Sequence, residues 1–304
     1  MTATSAPPAA AMKRGMGSAM AALLVIIFMA LGFVAGAYIG PRIGLGGTTP
    51  PTQLQTVVVG TNTPFPPFES RNATTNALEG FDIDLMNEIG KRNNWNIVWR
   101  DFQDWDALLA AIQFRGVDVG ASSITSSGSV GATRNLTFDF SNVYHEADQA
   151  VLIKTGTTPF TCSGAGGTCT VQDLANHSVA TQTLTSSYWW VQDNLVTTGW
   201  TTSNLAHDFG DLNQVIQELL NGGVQWVMVD KPIAQKFSTE NPQMTIAGTI
   251  ETNELYAYAV ADGDPGFDGK PSTTADALIP KINAALDAIK ADGTFATLRA
   301  KWLG

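Results

Sequence analysis

The most informative segment of the chain is Val117-Asp118-Val119-Gly120-Ala121-Ser122-Ser123-Ile124-Thr125, an apolar run that ends in hydroxyl side chains. A second segment, Arg134-Asn135-Leu136-Thr137-Phe138-Asp139-Phe140-Ser141, follows it and begins with an arginine. A guanidinium presents a planar fork of donors that matches a carboxylate, and hydroxyls and backbone N–H groups can complete the set. The two segments therefore predict a buried strand that leads to a site for one small carboxylate, with a surface ion pair between Arg134 and Asp139 as the alternative.

A carboxylate ends another apolar run, Val224-Gln225-Trp226-Val227-Met228-Val229-Asp230. An anion at the end of a buried strand suits an ammonium group. If Asp230 and Arg134 face each other across a cleft, the ligand carries both charges on one small frame, as an amino acid does. Lys231-Pro232 opens a predicted helix, so simple N-capping by Asp230 is the alternative interpretation.

Strand-like and helical segments alternate along the chain from residue 56 onward. The hydrophobic patterns predict strands at Thr56–Gly60, Asn96–Trp99 and Val117–Ile124, and helices at Phe81–Lys91 and Trp105–Phe114. Such alternation gives a parallel sheet with helices on its faces, and binding residues gather at the carboxyl ends of the strands. The sequence therefore predicts an α/β fold.

The same alternation begins again in the second half of the chain. The predicted elements are, in order, strand Ser178–Gln182, helix Ser186–Leu195, helix Leu212–Leu220, strand Val224–Asp230 and helix Pro232–Phe237. A second α/β unit is therefore expected after the first.

Two strand-like segments flank this second unit and predict a hinge. They are Asp148–Lys154 and Leu255–Ala261, and the predicted helices Ala275–Lys290 and Gly293–Trp302 then return to the first unit. We therefore expect residues 55–150 plus 255–304 to form lobe one and residues 151–254 to form lobe two.

The N-terminal region predicts export. Residues 1–18 are rich in Ala, Pro, Ser and Thr and are expected to be a disordered leader. Residues 19–39 are strongly apolar and would form a helix about 31 Å long, enough to span a bilayer. Lys13 and Arg14 precede them, so the positive-inside rule places the start of the chain in the cytoplasm and the rest outside.

The apolar segment is expected to remain as a membrane anchor. Ala35-Gly36-Ala37 has the small-x-small spacing of a signal-peptidase site, so cleavage after Ala37 and secretion is the alternative. Residues 40–54, rich in Gly, Pro and Thr, predict a linker between the membrane and the folded region.

The charge of the exported region excludes some partners. All 27 acidic residues lie from Glu69 onward, whereas three of the 17 basic residues precede it, so this region has a net charge of −13. A surface this acidic argues against nucleic acid and anionic lipid as partners.

The two cysteines, Cys162 and Cys169, bracket a short Gly-rich loop. In an exported chain they predict a disulfide, with two free thiols as the alternative. His145, His177 and His207 are scattered without the spacing of metal ligands or a catalytic triad, so neither a metal nor a cofactor is expected.

Five ordered motifs resemble one family over residues 54–304. They are Gly60–Phe68; Gly80–Leu85; Gly116–Val119 with Ser122–Thr125; Phe138–Ser141 with Tyr144; and Asp292–Phe295 with Lys301–Gly304. Together they resemble the amino-acid-binding family of extracellular solute-binding proteins (family 3) that serve ABC importers. The resemblance implies the type II periplasmic-binding-protein fold, a two-lobed clamshell in which each lobe is a mainly parallel sheet flanked by helices.

The resemblance also implies ligand-binding roles in lobe one. Phe65 and Trp105 match the aromatic pair that sandwiches the ligand side chain, with ordinary core packing as the alternative. Ser122 and Ser123 match contacts to the α-groups, Thr125 matches a hydroxyl on the carboxylate, and Arg134 matches the carboxylate clamp. Between Thr125 and Arg134 the chain is longer than is usual in the family, and Gly128 and Gly131 indicate an extra loop there.

In lobe two the resemblance assigns Gln182, Thr185 and Ser186 to a loop that closes over the carboxylate. Asp230 matches the residue that holds the α-ammonium. In lobe one, Asn62 stands where members that prefer basic ligands often carry Asp. A neutral amide there favours a ligand with a polar, uncharged side chain.

The function implied is that of a substrate-binding component of an ABC-type amino-acid importer, whose partners are a membrane permease and its ATPase. A ligand sensor that signals through a partner subunit is an alternative, although only about 18 residues precede the membrane segment, too few for a signalling domain. A dehydratase-like enzyme on the same fold is a third possibility, but the sequence presents no catalytic constellation.

Overall fold

The computed structural model describes residues 54–264 and 277–304. The predicted leader and membrane segment, and all of the predicted linker except Leu54, lie outside the described residues. Residues Leu54–Gly304 form one compact unit with its own hydrophobic core, as independent folding requires. In the described part of the chain, no helix is both long enough and apolar enough to cross a membrane.

The predicted strands and helices occur in the predicted order, together with several short ones that were not predicted. The strands are β1 (Gln55–Asn62), β2 (Ser70–Arg71), β3 (Leu78–Glu79), β4 (Trp95–Phe102), β5 (Val119–Thr125), β6 (Phe138–Phe140), β7 (His145–Lys154), β8 (Val179–Gln182), β9 (Ala206–Phe209), β10 (Trp226–Asp230) and β11 (Met244–Ala261). The helices are α1 (Phe81–Arg92), α2 (Trp105–Gln113), α3 (Gly128–Arg134), α4 (Val171–Leu174), α5 (Ser186–Val191), α6 (Leu212–Asn221), α7 (Lys231–Glu240), α8 (Leu278–Ala291) and α9 (Thr294–Trp302).

One sheet connects two α/β halves, with the strand order β4-β1-β5-β11-β7-β10-β8-β9. The strands β4, β1 and β5 are parallel, and so are β10, β8 and β9. Between these groups, β11 and β7 run antiparallel to their neighbours. We call the half that contains β1, β4 and β5 lobe one, and the half that contains β8, β9 and β10 lobe two.

The hinge is a pair of long antiparallel strands. Lys154 of β7 lies opposite Met244 of β11, and at the other end His145 lies opposite Tyr256. The predicted crossings are thus parts of longer strands, and β7 and β11 both extend from one lobe into the other. Its register with β7 shifts twice, between Ile246 and Gly248 and between Ile250 and Glu254.

Helix α1 illustrates how sequence pattern positions the site. Phe81, Leu85 and Ile89 recur at helical spacing and are fully buried against the sheet. Asp82 lies in the first turn, where the helix dipole favours an anion. Because Asp82 is also buried, its carboxylate faces inward, and it accepts a hydrogen bond from Ser123 N at the end of β5.

The expectation of an extra loop between Thr125 and Arg134 was wrong, because this stretch contains helix α3. Glycine has low helix propensity, which made Gly128 and Gly131 look like loop residues. Gly131 has a packing role instead: a Cβ on it would lie 2.1 Å from the carbonyl carbon of Ser126. The helix carries Arg134 at its last position.

Cys162 and Cys169 form a disulfide, as predicted. The disulfide packs on β11 at Gly248, where an added Cβ would come within 2.6 Å of both sulfur atoms. Cys169 N also donates to Thr249 O of the same strand. The Gly-rich loop is therefore attached to the part of β11 that lies in lobe two.

Candidate functional site

A small cavity lies between the lobes, at the carboxyl ends of β1, β5, β8 and β10. Its volume is about 30 Å³, room for a water molecule or two. All of the ligand-binding residues predicted from the sequence line it, namely Asn62, Phe65, Trp105, Ser122, Ser123, Thr125, Arg134, Gln182, Thr185, Ser186 and Asp230. We call this cavity the cleft. Its size means that an amino acid can enter only if the lobes part.

Arg134 is buried in the cleft and is only 7% exposed. Its guanidinium donates to Thr125 O and to Leu184 O, both at 3.0 Å, and lies 5.4 Å from the centre of the Trp105 ring. Asp139 accepts from Asp264 N, so the predicted alternative of an exposed Arg134–Asp139 ion pair is not what the structure shows. Burial lowers the pKa of Arg134 to about 10, and the nearby acids Glu254 and Asp230 act in the opposite direction.

Asp230 approaches the cleft from lobe two. It occupies the N-cap position of α7, but its side chain makes no capping hydrogen bond. Its carboxylate instead accepts from Gln149 Nε2 and Tyr256 OH. Burial, followed by repulsion from Glu254, raises the pKa of Asp230 to about 7. The capping alternative therefore gives way to a carboxylate turned toward the cleft.

The end of β5 supplies hydroxyl and backbone groups. Ser122 Oγ accepts from Asn62 N at 3.0 Å and donates to Glu69 Oε1 at 2.7 Å. Ser123 has φ +49°, which turns the chain, and no hydrogen-bond partner of its Oγ is present among the described residues. Thr125 Oγ1 donates to Glu254 Oε2, so its carbonyl, not its hydroxyl, contacts Arg134.

Hydrogen bonds join the lobes across the cleft. Gln182 Nε2 donates to Asn62 Oδ1 at 3.0 Å, and Trp105 Nε1 donates to Leu184 O at 3.3 Å. The Leu184 carbonyl thus accepts from two side chains of lobe one, Trp105 and Arg134. Leu184 adopts φ +56°, the left-handed conformation that directs its carbonyl into the cleft.

Thr185 and Ser186 begin helix α5. Thr185 Oγ1 caps the helix by accepting from Tyr188 N and donates to Gln182 O at 2.6 Å. Ser186 Oγ accepts from Gln149 Nε2 at 3.3 Å. These contacts hold the loop that carries Leu184 in one conformation while the lobes are together.

The two aromatic residues differ in burial. Trp105 is almost completely buried, with its ring beneath the Arg134 guanidinium. Phe65 is half-buried, and its backbone exchanges hydrogen bonds with Glu69. Both residues line the same cavity, as the predicted sandwich requires, and both also pack on hydrophobic core clusters, as the alternative had it.

The sequence argument missed several polar residues of the site. Glu69 lines the cleft and is fully buried. Gln149 donates to Asp230 and Glu254, and Tyr256 donates to Asp230, so Gln149 and Tyr256 support the lobe-two carboxylate from the hinge. Glu69 directly follows Pro66-Pro67-Phe68, so its place beside the recognised opening loop was the available signal.

The charged, polar and aromatic groups of the cleft suit a small zwitterion. They are one guanidinium, buried carboxylates, hydroxyls and two aromatic faces. Within residues 54–264 and 277–304, no cluster of three or more His, Cys, Asp or Glu side chains has metal-binding geometry.

Known proteins resemble the chain over this same region. A histidine-binding protein assigned as probable in Neisseria gonorrhoeae is 28% identical over 247 residues, which cover 80% of this chain and 81% of that protein. The ABC transporter arginine-binding protein 1 of Escherichia coli K12 is 26% identical over 243 residues, which cover 80% of this chain and 88% of that protein.

A solved structure shares the fold. An ancestral arginine-binding protein bound to arginine superposes with a TM-score of 0.69 at 29% identity, and the match covers 82% of this chain and 98% of that protein. The model of the family "Bacterial extracellular solute-binding proteins, family 3" matches residues 57–304. With two α/β lobes, a strand-pair hinge and a charged cleft between them, the chain belongs to the bacterial extracellular solute-binding proteins of family 3.

Proposed function

We propose that this chain is the extracytoplasmic substrate-binding component of an ABC-type importer and binds a free amino acid between its lobes. One observation carries the proposal: Arg134 and Asp230, of opposite charge and from different lobes, are both buried in the same cavity. Buried charges are costly unless they are paired. An α-carboxylate on Arg134 and an α-ammonium on Asp230 would pair both.

The proposed mechanism is closure of the lobes on the ligand, with lobe one formed by residues 55–150 plus 255–304 and lobe two by residues 151–254. The ligand docks first on Arg134, Ser122 and the aromatic pair. The carboxylate of the ligand then takes the place of the Leu184 carbonyl on Arg134. Contacts to Gln182 and Asp230 form only when lobe two swings in, so binding energy drives the hinge.

The proposed partners follow from this cycle. A membrane permease would recognise the closed form, and its ATPase would act in the cytoplasm. Residues 19–39 would hold the protein on the outer face of the membrane. Cleavage after Ala37 would instead release it. The names of the relatives describe binding proteins, which supports binding over catalysis.

Thermal unfolding of residues 54–304 with each of the twenty amino acids tests the proposal. A ligand that binds only the folded state raises the unfolding temperature, by an amount that grows with concentration over Kd. We expect a shift of several degrees for one or a few amino acids. Arg134→Ala should abolish the shift, and Arg134→Lys should keep only part of it, because the bidentate fork is lost.

Arg92→Ala is the matched control for the loss of one arginine. Arg92 lies on α1, where it pairs with Glu88 and Asp292 at the surface. Its removal should leave the ligand-induced shift intact. Near-normal affinity of Arg134→Ala for an amino acid would refute the role of Arg134 as the carboxylate clamp. No response of the unaltered protein to any amino acid would refute the proposed function.

A further inference from the structure

Glu69 is a fully buried acid in the wall of the cleft. Its Oε1 accepts from Ser122 Oγ at 2.7 Å. Its Oε2 has no hydrogen-bond partner among the described residues, although it is shielded from solvent. A buried carboxylate oxygen without a donor is unfavourable, so this atom is left for a group that enters the cleft.

Among the residues that the structure describes, no cation contributes to the pKa shift of Glu69. The acids that raise its pKa are Asp82 on α1, Asp230 on β10 and Asp101 on β4. Three tyrosines, Tyr144 just before β7 and Tyr256 and Tyr258 on β11, also interact with it electrostatically. Burial, followed by repulsion from Asp82, raises the pKa of Glu69 well above its ordinary value.

An ordinary zwitterion leaves one of the two acids that line the cleft without a partner. Arg134 would be neutralised by the α-carboxylate of a ligand and Asp230 by its α-ammonium. Glu69 then remains as an acid with no partner for its second oxygen. One further positive charge on the ligand would complete the pairing.

We propose that Glu69 is a specificity-determining residue, and that the amino acid bound by this protein carries a cationic side chain whose N–H group donates to Glu69 Oε2. This inference rests on the proposed function. The ligand side chain would lie between Phe65 and Trp105, whose ring faces attract a cation. A guanidinium or an ammonium group meets both requirements.

The side chain of Asn62 does not select a polar, uncharged ligand side chain in this structure. Its amide donates to Phe102 O and Gln103 O, and its Oδ1 accepts from Gln182. With every hydrogen-bonding group engaged, Asn62 ties the lobes together. Glu69, whose second oxygen has no partner, is therefore better placed than Asn62 to contact the ligand side chain. The sequence predicted a polar, uncharged ligand side chain, and affinities for cationic and neutral amino acids distinguish the two.

Calorimetry with Glu69→Gln tests the proposal. Glutamine keeps the shape of the side chain and an acceptor for Ser122, but it removes the charge. We expect affinity for arginine, lysine or histidine to fall about 50-fold or more, because a charge-assisted bond becomes a neutral one, and affinity for glutamine to change less than about threefold. Glu79→Gln, the same substitution on β3 outside the cleft lining, should leave both affinities unchanged.

Proton release gives a second readout that a merely structural role would not move. A cation beside Glu69 favours its ionised form, so the unaltered protein should release protons on binding a cationic amino acid near neutral pH. Heats measured in buffers of different ionisation enthalpy count these protons. Glu69→Gln should release fewer.

The outcomes separate the two proposals. Equal loss of affinity for cationic and neutral amino acids in Glu69→Gln, or tighter binding of neutral ones by the unaltered protein, overturns the role of Glu69 and leaves the proposed function standing. Binding of no amino acid by the unaltered protein overturns both.

Discussion

The cleft and a larger groove at the hinge lie side by side, but they differ in how their charges meet water. The cleft encloses about 30 Å³ and buries Arg134, Asp230 and Glu69. The hinge groove is lined by His145, Lys231, Lys236, Arg299 and Trp302, among others, and encloses about 610 Å³.

The comparison shows that the larger of the two cavities is not the one that buries its charges. Arg299 and Lys236 of the hinge groove are exposed, so water already satisfies them. Arg134 and Asp230 have given up water, and a ligand that restores their partners gains much more from them.

The largest expected difference is between two neighbours in the sequence. Asp230 lines the cleft and Lys231 lines the hinge groove. Asp230→Asn should weaken amino-acid binding about 100-fold, roughly 3 kcal/mol, because the ligand ammonium loses a buried charged partner. Lys231→Gln should change the affinity less than about twofold. Calorimetric titration checks both, and similar losses in the two variants would contradict the contrast.

A second expectation concerns pH, because burial raises the pKa of acids at the cleft and lowers the pKa of a histidine in the hinge groove. The pKa values of Asp82 and Asp230 are raised to about 7, chiefly by burial. The stability that these acids contribute is complete below the unfolded pKa near 4 and is lost as the pH rises through 7.

His145 in the hinge groove behaves in the opposite way. Burial, followed by repulsion from Arg299, lowers its pKa to about 4. The unfolded chain therefore takes up a proton first, and stability is lost as the pH falls from about 6.5 toward 4.

Urea unfolding at pH 4.5 and pH 7 separates the two effects. The free energy of unfolding of Asp230→Asn, minus that of the unaltered protein, should be roughly 2 kcal/mol larger at pH 7 than at pH 4.5. His145→Phe should change the difference in the opposite sense, by a smaller amount. Identical pH dependence in all three proteins would show that neither group is shifted as described.

The smallest effect is expected at Lys236. It forms an exposed ion pair with Glu240 one helical turn away, at 2.7 Å. Lys236→Ala should lower the free energy of unfolding by less than about 0.5 kcal/mol and leave ligand binding unchanged. A loss of affinity above about fivefold would mean that the hinge groove takes part in binding.

Sequence patterns predicted the two α/β units because apolar periodicity is set locally. They did not predict helix α3, since Gly131 is chosen for its contact with Ser126, which only the folded chain reveals. Patterns also pointed to Arg134 and Asp230, because each is a charge at the end of an apolar or hydroxyl-rich segment.

Other parts of the site could not be read in this way. Glu69 is recognised as a site residue only by its burial beside Asp82, and Gln149 only by its hydrogen bonds to Asp230 and Glu254. These partners are far apart in the sequence, and no local spacing encodes them. The roles of all these residues in binding remain predictions until ligands are measured.

Strand β11 determines what kind of motion the protein can make. It is one continuous strand of 18 residues that serves both lobes, paired with β7 along much of its length. Bending therefore concentrates at its two register shifts, where pairing is interrupted and Asn253 already has φ +51°. The lobes are joined by a paired ribbon and not by a slack tether, so any change in their separation must bend β11 together with β7.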